Sequence, residues 1–130
     1  MLVLDANVAL AAATSSSGFR VFEGEELVAP PLLWPEVRSA LHVAVVRGLL
    51  SRDTAERSRD VIESGIVRER RHRRLGRETW GVADELGWSK TYDAEYLALA
   101  RLLGAKIVTL DTRVARAAER VAVEVDERLH

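Results

Sequence analysis

Hydrophobic residues fall into short apolar runs separated by stretches of helical period, an alternation that predicts an α/β fold. Leu2-Val3-Leu4 reads as a short buried strand, and the Ala-rich segment Ala6 to Ala13 as a helix ended by Thr14-Ser15-Ser16-Ser17-Gly18. Leu27-Val28-Ala29 predicts a second strand, stopped by Pro30-Pro31. Pro35 suits the first position of a helix, with Val37, Leu41, Ala44 and Val45 as its apolar residues and Gly48 near its end. Asp53 with Glu56 predicts a capping box opening a helix to about Glu63. Gly65-Ile66-Val67 is a weak third strand, and a helix from about Arg73 to Leu86 follows, ended by Gly87. Thr91 is the expected N-cap of a helix with a buried stripe Tyr92, Tyr96, Leu99, Ala100 and Leu103, closed by Gly104. Ile107-Val108-Thr109-Leu110 is the clearest strand, and a short helix Val114 to Glu119 leads to Val121–Val125, which alternates like an edge strand.

Short connections between strands and helices favour right-handed crossovers and a mostly parallel central sheet flanked by helices. In such a sheet, the C-terminal ends of strands and the N-terminal ends of helices share one edge, where ligands bind. Asp5 and Asp111 each end a predicted strand, while Glu36 and Asp93 each lie in the first turn of a predicted helix. Taken singly, each acid has a bland reading as a helix cap, a turn former or a dipole partner. Together, four acids from distant segments are brought to one edge. Their mutual repulsion calls for a cation, and an all-oxygen donor set suits Mg²⁺ or Mn²⁺ rather than zinc. A metal-activated water attacking a phosphodiester is the chemistry such a site supports.

The chain has 130 residues and no cysteine, which suits a single domain over residues 1–130 and excludes a disulfide scaffold, a thiolate metal site and a cysteine nucleophile. With 19 basic and 20 acidic side chains, it is not a basic nucleic-acid binder as a whole. Lys90 and Lys106 are the only lysines, so positive charge is carried by arginine, whose planar fork matches phosphate. A GC-rich genome produces the same bias. No apolar run is long enough to span a membrane, and the start Met1-Leu2-Val3-Leu4-Asp5 lacks the basic region of a signal peptide. A complete, cytoplasmic protein is therefore expected.

Leu4-Asp5-Ala6-Asn7, Trp34-Pro35-Glu36-Val37, Thr91-Tyr92-Asp93-Ala94-Glu95-Tyr96-Leu97-Ala98-Leu99-Ala100 and Val108-Thr109-Leu110-Asp111-Thr112-Arg113 resemble, in order, the motifs of the PIN-domain family. They most resemble its VapC-type toxins of bacterial toxin–antitoxin pairs. The resemblance runs from Leu2 to about Val125, and the Tyr92–Ala100 block is its most specific part. It implies a three-layer α/β fold and a Mg²⁺-dependent (or Mn²⁺-dependent) endoribonuclease. It also implies an RNA substrate, a small cognate antitoxin as partner, and a homodimer. Asp5 and Asp93 match the family's principal metal ligands, Asp111 its third Asp, and Glu36 the acid on its second helix. Thr109 matches a hydroxyl residue that hydrogen-bonds within the site, and Asn7 a polar position of variable chemistry. Where some relatives carry a further acid shortly after the third Asp, Arg113 and Arg116 stand here, which speaks against a fully occupied second metal site. Glu95 is left out of the site because it points away from Asp93 on a helix.

Arg68, Arg70, Arg71, Arg73, Arg74 and Arg77 form a basic run, read either as solvated surface or as an RNA-phosphate grip centred on Arg73, Arg74 and Arg77. Trp34, Trp80 and Trp88 could stack bases or fill an antitoxin groove, but packing against a core edge is the expected role of Trp80 and Trp88. His42, His72 and His130 are scattered and make no metal site or triad. Ser15-Ser16-Ser17-Gly18 lacks the glycine spacing and lysine of a phosphate loop. Four rival readings stand beside the toxin. A housekeeping PIN-type RNA-processing nuclease would share the site. A haloacid-dehalogenase-like phosphatase would need a second Asp where Asn7 stands. A receiver-like module would need a lysine ending a late strand, whereas Lys106 begins one. A PIN fold kept only for interaction fits poorly with four intact acids.

Overall fold

The computed structural model describes residues 1–129, and His130 lies outside the described residues. The described residues form a four-stranded, wholly parallel sheet with six α-helices. The strands are β1 (Leu2–Leu4), β2 (Leu27–Ala29), β3 (Arg68–Glu69) and β4 (Lys106–Val108), in the spatial order β3-β2-β1-β4. Val3 pairs with Val28 on one side and Ile107 on the other. β1 and β2 are buried at every position, as strands covered on both faces must be. β3, two exposed charged residues long, blunts its edge of the sheet.

The helices are α1 (Ala6–Thr14), α2 (Leu33–Val46), α3 (Arg52–Glu63), α4 (Leu75–Leu86), α5 (Tyr92–Leu103) and α6 (Thr112–Arg120). α1 packs with α2 and α3, while α5 packs between α4 and the strands β1 and β4. That central placement explains the burial of Ala94 and of every residue from Tyr96 to Ala100, more than a single stripe. Tyr92, expected in the stripe, is 61% exposed, and Leu103 is half-buried. Arg101 fastens α5 to α4, donating from Nε to Glu78 at 2.7 Å and from a terminal nitrogen to Glu85 at 2.7 Å.

Several boundaries differ from the sequence expectation for local reasons. α2 begins at Leu33, so Pro35 stands third, a place in the first turn where its missing N–H costs no helical bond. α3 is capped by Ser51, whose hydroxyl accepts from the Thr54 N–H at 3.1 Å, and Asp53 lies inside the first turn. The third strand is Arg68–Glu69 rather than Gly65–Val67, α4 starts at Leu75, and α6 starts at Thr112 directly after Asp111. Val121–Val125 is not a strand: Ala122 has φ +60°, which breaks the extension, and only Val125 bridges to Ile107. Thr109 and Leu110 lie beyond the end of β4. Gly104 ends α5 at φ +62°, as expected of a C-terminal glycine.

The cap assignment is open to a direct test. Ser51→Ala should destabilise the protein by about 1 kcal/mol, as lost N-caps do, and Asp53→Ala by less than half of that. Denaturant melts of both variants check it; a larger effect at Asp53 would restore the capping box.

Candidate active site

Asp5 is the residue after β1 and the N-cap of α1: its Oδ1 accepts from the Val8 N–H at 3.0 Å. Its Oδ2 accepts from the hydroxyl of Thr109, two residues short of Asp111 on the neighbouring segment. The same Thr109 oxygen accepts from the Asp111 N–H at 3.1 Å, and Asp111 Oδ1 caps α6 by accepting from the Arg113 N–H at 2.8 Å. The bland reading of both residues is thus correct as far as it goes, since each does cap a helix. Capping also fixes each carboxylate at the C-terminal edge of the sheet.

Glu36 in the first turn of α2 and Asp93 in the first turn of α5 come to the same place. Asp5, Glu36, Asp93 and Asp111 line one crevice of about 60 Å³, together with Asn7, Tyr96 and two apolar residues. Asp5 is buried, and burial pushes its carboxyl above the ordinary carboxylate range; Thr109 and Val8 oppose this by hydrogen bonding, while the charges of Asp93 and Asp111 add to it. Tyr96, also buried, donates its hydroxyl to Glu36 Oε1 at 2.6 Å. Burial first, and the Glu36 carboxylate second, hold the Tyr96 phenol well above its usual range, so it remains a proton donor. Glu95 does not line the crevice, yet its carboxyl is raised by burial and by the charge of Glu36.

Two residues of the site escape sequence reasoning. Tyr96 reads only as core in the sequence, although it lies three residues after Asp93 and hence on the same helix face. Arg113 reads only as a missing acid. Its guanidinium forms an ion pair with Asp93, stands 3.8 Å from Asp111 Oδ2, and lies over the Trp88 ring at 4.8 Å from the centroid. Nothing in the spacing of the sequence announces that an arginine on α6 reaches an acid on α5.

The remaining candidates lie elsewhere. Arg74 is the N-cap position of α4, with Arg73 before it and Arg77 in the first turn; all three are exposed and none lines the crevice. Trp88 is half-buried against the core, and Trp34 donates its indole N–H to the Ile62 carbonyl at 3.2 Å. Trp80 does not pack against the core edge: it is 69% exposed, because α4 buries the opposite face through Thr79, Val82, Ala83 and Leu86.

The family model for the PIN domain matches residues 2–120. The chain belongs to the PIN-domain family. Members of that family are generally nucleases. In structure this PIN domain is similar to a chain in VapBC-1 from nontypeable Haemophilus influenzae, with a TM-score of 0.66, 11% sequence identity, and coverage of 99% of this chain and 98% of that one. No curated protein sequence matches it.

The PIN family implies a divalent cation, and the crevice can be tested for it. Every charged donor there is a carboxylate oxygen, from four different elements, which is the donor class of Mg²⁺ and Mn²⁺. Among the described residues no three acids are already gathered as a cation cage. Arg113 meanwhile serves as the counter-charge on Asp93. The residues fit the ion in kind, and Asp93 would have to exchange one cation for another.

Thr109 is the joint of this arrangement. Thr109→Val keeps its shape and removes the hydroxyl, leaving a buried Asp5 oxygen without its donor. A loss of about 1–3 kcal/mol is expected in EDTA melts, and Thr109→Ser should restore most of it. Equal stability of the Thr109→Val variant and the wild-type protein would show that the hydroxyl does not hold Asp5.

Proposed function

We propose that this PIN domain is a metal-dependent endoribonuclease acting as the toxin of a toxin–antitoxin pair. The observation that carries this reading is the convergence of Asp5, Glu36, Asp93 and Asp111 on one crevice at the C-terminal edge of the parallel sheet. Asp5, Asp93 and Asp111, with Glu36, would hold Mg²⁺ or Mn²⁺, which when bound supplies an activated water and charge neutralisation at a phosphodiester. Thr109 holds Asp5 in place through its hydroxyl. Tyr96 orients Glu36 by donating to Oε1, which leaves Oε2 to accept a water proton. Asn7 adds an exposed amide at the rim. Arg113 offers a planar fork at the mouth of the crevice, suited to a substrate phosphate once it leaves Asp93.

The toxin part of the reading rests on the family and on the likeness of fold to a chain of VapBC-1. It brings with it a small antitoxin protein as partner, a homodimer, and a cytoplasmic setting. No helix among the described residues is long and apolar enough to cross a membrane. The exposed arginines Arg73, Arg74 and Arg77 are the proposed RNA-phosphate grip.

RNA cleavage should cease in EDTA and return with Mg²⁺ or Mn²⁺. Asp93→Asn should lower it by orders of magnitude, since the amide keeps the shape and loses the charge. Because the Asp93–Arg113 pair is half exposed, the metal-free variant should melt within about 1 kcal/mol of wild type. Added Mg²⁺ should raise the melting temperature of wild type more than that of the variant. Cleavage that persists in EDTA, by protein free of contaminating ribonuclease, would overturn the mechanism.

Replacing Arg73, Arg74 and Arg77 together by Gln should weaken RNA binding. It should also flatten the dependence of log affinity on log salt by about 2 units, at roughly 0.7 per single-strand phosphate contact. An unchanged slope would make the run solvated surface.

A further inference from the structure

A second pocket, of about 370 Å³, adjoins the carboxylate crevice and shares Asp93 with it. Its walls include Trp88, Lys90, Tyr92 and Arg113. Its chemistry differs from that of the crevice: two aromatic rings and two cations stand beside a single acid. Trp88 is half-buried and already carries the Arg113 guanidinium over its ring. Tyr92 is 61% exposed in the first turn of α5, one residue before Asp93, and its ring is not required by the core. Lys90 is exposed, whereas the other lysine, Lys106, is paired with Glu124.

We propose that this pocket is a nucleobase subsite, which takes a base of single-stranded RNA next to the phosphate held at the carboxylate crevice. The inference rests on the nuclease reading above and deepens it. A base stacks on an exposed aromatic ring whatever its identity, while cations beside the ring follow the backbone. Tyr92 supplies an open stacking face, the Arg113 guanidinium seated on Trp88 a second, and Lys90 a phosphate contact. Asp93 ends the pocket where the acids begin, so a strand with one base in the pocket has its neighbouring phosphate at the acids. Duplex RNA keeps its bases stacked on each other and has none to offer. The pocket therefore selects single-stranded substrate without selecting sequence.

The three tryptophans make the site readable without cleavage. In ¹⁵N-labelled full-length protein each indole N–H gives its own resonance, assigned through Trp34→Phe, Trp80→Phe and Trp88→Phe. The probe is a 2′-O-methyl single-stranded oligoribonucleotide of mixed sequence, titrated in EDTA. The Trp88 resonance should shift on titration. Tyr92→Ala should raise the Kd about tenfold, as loss of a stacked base does, and Tyr92→Phe should leave it unchanged. Lys90→Gln should reduce the slope of log affinity against log salt by about 0.7. A Trp88 resonance that stays still while Trp80 moves would place the strand on the α4 face and overturn the subsite. A Kd unchanged in Tyr92→Ala would overturn it as well. The nuclease reading fails separately: a strand that moves Trp88 in a protein that never cleaves RNA with Mg²⁺ keeps the subsite and removes the enzyme.

Discussion

The hydroxyl of Thr109 resting on the Asp5 carboxylate is the contact on which the site depends. It joins the ends of two strands that are neighbours in the sheet but separated by most of the chain. A buried carboxylate without donors is costly, and Asp5 is buried at the end of a strand. Two neutral donors, the Thr109 hydroxyl and the Val8 N–H, share the work of holding its charge. One of them opens α1 and the other locks β1 to the segment leading into α6. The position of the central acid is thereby set by the fold itself.

The outer acids are balanced differently. Asp93 and Asp111 are more exposed than Asp5 and share one guanidinium, that of Arg113, which is also seated over Trp88. An arginine in this place lowers the repulsion among carboxylates in the metal-free protein at little cost, because the pair is solvated. It also ties the acid crevice to the aromatic pocket beside it. The two cavities differ in chemistry and share Asp93.

α5 gathers these roles on one element. Its first turn carries Tyr92 and Asp93 at the sheet edge, its next turn carries Tyr96 against Glu36, and the rest is buried between α4 and the sheet. The long apolar stretch Leu97–Ala100 anchors the helix so firmly that its first turn can be given over to polar work. Arg101, clamped by Glu78 and Glu85, closes the far end.

By itself, the sequence determined the elements and the order of the acids. Apolar runs too short for helices marked β1, β2 and β4. Alanine-rich stripes and terminal glycines marked α1 and α5. An Asp after a strand, or an acid in a helix's first turn, follows from local preference alone. Once the sheet is parallel, those four acids share an edge, which is why their convergence is legible in the sequence. Local pattern also misled where tertiary contacts outweigh it. Alternation at Val121–Val125 promised a strand, but the left-handed turn at Ala122 left one bridge. Helical period placed Tyr92 in the core, and the usual preference of a Trp placed Trp80 at a core edge, while the packing around α4 and α5 left both in solvent. Only the tertiary structure decided that Arg113 reaches across from α6 to Asp93, that Tyr96 meets Glu36, and that aromatic and cationic residues line a pocket beside the acids. Those pairings join side chains on different helices, whose mutual distance is set by how the layers pack and is written in no local spacing.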